Sequence, residues 1–197
     1  MEHLMPRQLS FNREDALRQA MILFWERGYE AASVQQLTSA MGINRFSMYN
    51  TFGDKRALFL AALDCYAENE AAALLRPLEV ARPDLSSIHE FFQAYLEHTQ
   101  SSHGSMGCML VLSGAECPNE PDTTERVSAH RARTRFAFER ALRNAADDGK
   151  LRPHIYPRRR AAMLTTFFQG LTLQARNHTN TAFLQAAVLA VLDDLSG

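Results

Sequence analysis

The sequence is short of the features that mark most enzymes. Its 197 residues contain no GxGxxG, no P-loop, no HExxH and no GxSxG. Dinucleotide binding, Walker-type phosphate binding, zinc proteolysis and nucleophile-elbow chemistry therefore have no motif to rest on. Cysteine is scarce as well. Cys65, Cys108 and Cys117 form an odd set without CxxC spacing, which argues against a zinc site or a disulfide framework and predicts reduced thiols. No apolar run reaches 18 residues, and Met1 to Ser10 has no apolar signal core. The expectation is a soluble, cytoplasmic protein that does not enter a membrane. An excess of positive charge is also missing. At a formal net charge of −1 the chain cannot coat nucleic acid by bulk charge, so any DNA contact must come from a local patch. Strand-like alternation is rare, which sets the fold class as all-α.

What the chain does have is a well-punctuated stretch from Ser33 to Lys55, SVQQLTSAMGINRFSMYNTFGDK. Ser33 followed by Gln36 is a capping-box pattern. Val34, Leu37 and Met41 then fall on one helical stripe, and Gly42 supplies a left-handed residue to end the helix. Asn44 can cap a second short helix. On that helix Met48 and Phe52 share one face, while Phe46 and Asn50 point the opposite way with Ser47 and Tyr49 on the flanks. Arg45 sits at the N-terminal tip. Two short helices around a Gly-bearing turn make a helix-turn-helix pattern. The outward set suits a major groove, where Arg reads guanine, Asn reads adenine and an apolar side chain meets the thymine methyl.

From about Phe11 to Tyr66 the order and spacing resemble the DNA-binding domain of the TetR family of one-component bacterial transcriptional regulators. The residues that carry the resemblance are Phe24 to Glu30, Ser33-Val34, Met41-Gly42-Ile43, Ser47-Met48-Tyr49 and Phe52 to Leu58. The resemblance implies an N-terminal three-helix helix-turn-helix domain (residues 1–57), then an α-helical effector-binding and dimerisation domain (residues 58–197). It places Ser33, Gln35, Arg45, Phe46, Ser47, Tyr49, Asn50, Thr51 and Lys55 at DNA-contact positions. Ser33, Tyr49, Thr51 and Lys55 sit where phosphate contacts are expected, and Gln35, Arg45, Phe46 and Asn50 where base edges are read. Met1 to Ser10 reads as a flexible arm, either frayed or lying along DNA.

The remainder of the chain predicts helices from about Asn12, Lys55 to Leu75, Leu85 to Gln100, Gly107 to before Pro118, Thr123 to Asp148, Pro157 to Asn177 and Asn180 to Leu195. The last two are apolar over much of their circumference, as helices buried on more than one side are. A two-fold interface between copies is expected there, through Leu164, Phe168, Leu171, Leu184, Val188 and Val191. The effector pocket draws on Tyr66, Phe92, Tyr95, Cys108, Met109, His130, Phe136 and Phe167, an apolar set with a few polar groups. Cys108 has two readings. At a helix start its thiol pKa would be lowered, making an oxidant- or electrophile-sensing thiol, or it is a small buried hydrophobe. Cys117 is no partner along one helix, since nine residues span roughly 13 Å. His98, His103, His130 and His178 lack metal-site spacing, so no metal and no cofactor is expected. The arginines from Arg126 to Arg143 and at Arg158 to Arg160 read as a salt-bridged face.

The expectation is a ligand-responsive transcriptional regulator, a repressor that acts as a homodimer on double-stranded operator DNA and is released by a small-molecule effector. A thiol sensor built on Cys108 is the alternative. An enzyme using Cys108 with a His, and an architectural DNA binder, are the further competitors.

Overall fold

The computed structural model describes residues 11–101 and 103–195. The N-terminal arm read from Met1 to Ser10 lies outside them. Among the described residues the chain is helical, with no β-strand. Packing divides it into two units, Met1–Cys65 and Tyr66–Gly197, where the sequence reading ended the first domain at Ala57.

In the first unit the helices start at side-chain caps, and α1 to α3 end at glycines. α1 (Arg13–Arg27) is capped by Asn12, whose Oδ1 accepts from the Glu14 and Asp15 N–H groups. α2 (Val34–Met41) carries the full capping box. The Gln36 N–H donates to Ser33 Oγ at 3.2 Å, and the Ser33 N–H donates to Gln36 Oε1 at 3.0 Å. Gly42 ends it in the left-handed conformation (φ 66°, ψ 26°), with the Ile43 N–H returning to the Thr38 carbonyl. α3 (Arg45–Phe52) is capped by Asn44, which accepts from the Ser47 N–H at 2.8 Å. Asp54 likewise accepts from the Ala57 N–H at the head of α4 (Lys55–Tyr66). Met21, Phe24, Trp25, Leu37, Met48, Leu58 and Phe59 fill the core, and Phe24 meets the Phe59 ring edge-on at 5.1 Å.

The second unit begins with a departure from regularity. The sequence predicts one α-helix through Leu75, whereas Ala67–Ala71 forms a π-helical turn before α5 (Ala72–Leu75) and a 3₁₀ turn at Arg76–Leu78. Next come α6 (Leu85–His98), α7 (Met109–Glu116), α8 (Pro121–Asp147), α9 (Pro157–Arg176) and α10 (Thr181–Asp193). Phe91 organises this core: the rings of Phe92, Phe138 and Phe168 stand 5.0–5.1 Å from it, all near perpendicular. Both Phe91 and Phe92 are buried.

The arginines are largely spent on structure. Arg133 makes a two-pronged pair with Glu79 at 2.7 and 2.8 Å, and Arg140 donates to the carbonyls of Leu78 and Val80. Arg143 pairs with Glu139, and Arg160 with Asp194. α8 thereby ties down the connection between α5 and α6.

The interface residues expected on α9 and α10 need correction. Leu164, Phe168, Leu171, Leu184 and Val188 are buried in the chain's own core, and Val191 packs against it partly covered. The large apolar side chains these helices leave to solvent are Met163, Leu173, Phe183 and Leu189, the last two 59% and 60% exposed. Helices apolar nearly all round have two greasy faces, and periodicity does not say which one turns inward.

Candidate DNA-reading helix and effector cavity

α3 has eight residues, about 12 Å of helix, close to the width of a B-DNA major groove. Met48 and Phe52 anchor it inward. Arg45, Phe46, Tyr49 and Asn50 are exposed, Phe46 to 72%, with Phe46 and Asn50 turned away from that anchor, Tyr49 on its flank and Arg45 at the helix tip. Arg45 reaches Tyr49 across one turn. Its Nη2 lies 3.4 Å from the phenol oxygen and its guanidinium 5.5 Å from the ring centroid, so the two side chains present one cationic, aromatic ledge. Ser33 and Gln35 are exposed at the start of α2, and Ser47 is half-buried. Lys55 Nζ stands 4.4 Å from the Tyr29 ring centroid and 3.5 Å from the Glu30 carbonyl. Thr51 differs from its neighbours: its hydroxyl is covered and has no hydrogen-bond partner.

The second unit encloses a cavity of about 210 Å³. Of the expected pocket residues, Tyr66, Tyr95, Cys108 and His130 line it. Phe92, Met109 and Phe167 are not in its lining; Phe92 and Phe167 instead meet each other at a tilt, their ring centroids 5.8 Å apart, and Phe136 stands 66% exposed on α8. Phe91, Phe168, Leu74, Leu75, Glu70 and His98 are among the other lining residues and were not foreseen there. Two of them had a signal, because Glu70 follows Tyr66 by four residues and His98 follows Tyr95 by three. The larger apolar residues carried none, since they look like any other core positions.

Local backbone sets Cys108 in place. Gly107 has φ +75°, and a Cβ there would stand 2.6 Å from the Thr172 carbonyl oxygen of α9, so only glycine lets the segment approach so closely. The Arg176 guanidinium fastens it further by donating to the Met106 carbonyl at 3.1 Å. Cys108 Sγ then lies 4.0 Å from His130 Nε2 and accepts from the Tyr66 hydroxyl. Burial pushes the Cys108 thiol pKa up, outweighing the Val111 and Leu110 N–H groups, which pull it down. The helix-start effect is present and loses. The Tyr66 phenol is raised well above its ordinary value by burial and by Cys108. His130 is pushed down to about 4, by burial first and Arg133 second. Burial also lowers His98. At neutral pH the thiol, both phenols and both imidazoles are therefore uncharged. Among the described residues, no three His, Cys, Asp or Glu side chains gather as a metal set, and no helix is long and apolar enough to cross a membrane.

A compact unit of short helices with α3 exposed, followed along the chain by a helical unit with a cavity, is an arrangement with known relatives. Residues 16–62 match the family described as bacterial regulatory proteins, tetR family, and residues 85–191 match a tetracyclin repressor-like C-terminal domain. The chain belongs to the TetR family. As a member it is a helix-turn-helix transcriptional regulator, not an enzyme. It is 32% identical to the uncharacterized HTH-type transcriptional regulator YezE of Bacillus subtilis, over 75% of this chain and 76% of that one. It is 29% identical to the HTH-type transcriptional repressor ComR of Escherichia coli, over 84% and 80%. Its fold is similar to that of a cysteine mutant of the TetR family regulator CifR complexed with 26-bp double-strand operator DNA. That similarity has a TM-score of 0.84 at 29% identity, and covers 96% of this chain and all of that one. The TetR model spans α2 and α3 entire.

Proposed function

We propose that this regulator represses transcription by holding operator DNA as a homodimer in the cytoplasm, and releases it when a small molecule occupies the second unit's cavity. The observation that carries the reading is the exposed α3 ledge of Arg45, Phe46, Tyr49 and Asn50. In this reading Gln35, Arg45, Phe46 and Asn50 meet base edges, while Ser33, Ser47, Tyr49 and Lys55 hold the phosphates that fix register. Thr51, with its hydroxyl covered, joins them only after a rotamer change. The naming of ComR as a repressor and the operator complex of CifR support it.

Met163, Leu173, Phe183 and Leu189 supply the two-fold contact, because they are the large apolar side chains that α9 and α10 leave uncovered. A dimer so built presents two α3 helices to successive major grooves, about 34–36 Å apart on a nearly palindromic site. Tyr66, the last residue of α4, lines the cavity, so an effector acts on the helix that starts beside the reader at Lys55. Coupling is reciprocal, so operator DNA weakens effector binding by the same factor, typically on the order of 1–3 kcal/mol.

The test is selection of bound sequences from a random DNA pool, followed by a metabolite screen for release of the winner. The expected winner has two inverted half-sites about one helical turn apart. A winner without repeated half-sites, or an effector that binds equally well with and without operator, excludes the mechanism.

A further inference from the structure

The chemistry of the cavity wall narrows what can occupy it. Its volume, about 210 Å³, is somewhat larger than the roughly 150 Å³ that accommodates benzene. One ring with a substituent of a few atoms is of a size to fill it. Most of the surface is apolar, supplied by Leu74, Leu75, Phe91 and Phe168. No Lys or Arg is among the lining residues, and the charged side chain that is present, Glu70, is an acid. A carboxylate or phosphate entering this space would lose its hydration, find no cation and meet a carboxylate.

One polar group in the wall points to what the ligand carries. Tyr95 is 2% exposed, and its hydroxyl is buried without a hydrogen-bond partner. A buried donor left unsatisfied costs roughly 1–3 kcal/mol, which an acceptor on a ligand would recover. The imidazoles of His98 and His130 do not offer the positive charge an anion would need, because burial holds both in the neutral form.

We propose that the effector is an uncharged, single-ring-sized molecule bearing an oxygen acceptor, of the aryl ketone, aldehyde or ester class, which takes the Tyr95 hydroxyl as its hydrogen-bond donor. The proposal rests on the reading of this cavity as the effector site. It excludes the carboxylates and acyl thioesters that the chain's many arginines suggest at first sight, since those arginines do not line the cavity.

The experiment is calorimetric titration of the full-length protein with three molecules of similar shape: acetophenone, ethylbenzene and benzoate. Acetophenone should bind about five- to tenfold more tightly than ethylbenzene, the margin of one neutral hydrogen bond, and at least a hundredfold more tightly than benzoate at neutral pH. In the Tyr95→Phe variant the preference for acetophenone over ethylbenzene should vanish. That variant should melt no earlier than wild type, because it removes an unsatisfied hydroxyl. Benzoate binding as tightly as acetophenone overturns the proposal, as does a ketone preference that survives Tyr95→Phe. Failure of all three molecules to bind also overturns it, while leaving the effector reading standing. That parent reading falls separately, only when no compound of any size or charge loosens the protein from its selected operator.

Discussion

Replacing His130 by Gln should flatten the acid limb of this protein's stability curve. In the folded chain the imidazole is pushed down to about 4 from the ordinary 6.5 by burial and by Arg133; unfolded, it returns to the ordinary value. Between those two values the unfolded chain binds a proton that the folded chain refuses, so stability falls as pH drops from about 6.5 to about 4. Above the window both states are neutral, and below it both are charged, so the effect is confined to it. A gap of about 2.5 between the two pKa values corresponds to about 3 kcal/mol at 1.36 kcal/mol for each. The ring is partly reached by solvent, which screens some of this and leaves about 2 kcal/mol. The assay is urea denaturation followed by far-UV circular dichroism at a series of pH values across the window. Fluorescence would be the wrong probe, because the sole tryptophan, Trp25, belongs to the first unit. Wild type should lose about 2 kcal/mol that His130→Gln keeps, whatever the variant's stability at neutral pH. His98 is lowered for the same reason and adds a smaller slope of the same sign to both proteins. Curves that run parallel through the window would refute the burial argument and, with it, the neutral state assigned to His130 in the cavity wall.

Two further outcomes test other parts of the structure. Gly107→Ala should destabilise the fold by about 2–3 kcal/mol, from the left-handed backbone and the clash with the Thr172 carbonyl; a urea midpoint matching wild type would show that the segment can move aside. Arg45→Ala should cost about 1–3 kcal/mol in operator affinity and relax preference at one base pair, whereas uniform weakening on all sequences would make it a phosphate contact and favour an architectural binder.

How far the sequence alone could reach depended on whether the deciding interaction was local. The caps at Asn12, Ser33 and Asn44 and the turn at Gly42 were legible because each is settled within four residues. The inward anchor of α3 was legible for the same reason: Met48 and Phe52 fall four residues apart on one face, with Phe46 and Asn50 on the other. The C-terminal helices gave no such contrast. With apolar residues on both sides of α9 and α10, packing between distant segments decides the facing: Phe168 turns inward onto Phe91 and Tyr95, while Phe183 stays exposed. Cys108 shows a different limit. Its helix-start position was visible, but the burial that overrides it comes from residues far away in sequence, including Tyr66 and His130.

The π-turn at Ala67–Ala71 bears on how a chain of this kind can change in length. Its hydrogen bonds close over five residues rather than four, so it holds one residue more than an α-helical path between the same ends. Removing one residue there can be absorbed by tightening the turn to an α-helix, leaving Tyr66 and Leu75 on their present faces. The same deletion inside α4 would swing every later side chain by about 100°. The two family matches end at residue 62 and resume at residue 85, and the turn lies in the interval between them. A one-residue change there leaves the helices of the reader untouched and falls instead on the cavity wall, to which the turn contributes Glu70 and Ala71.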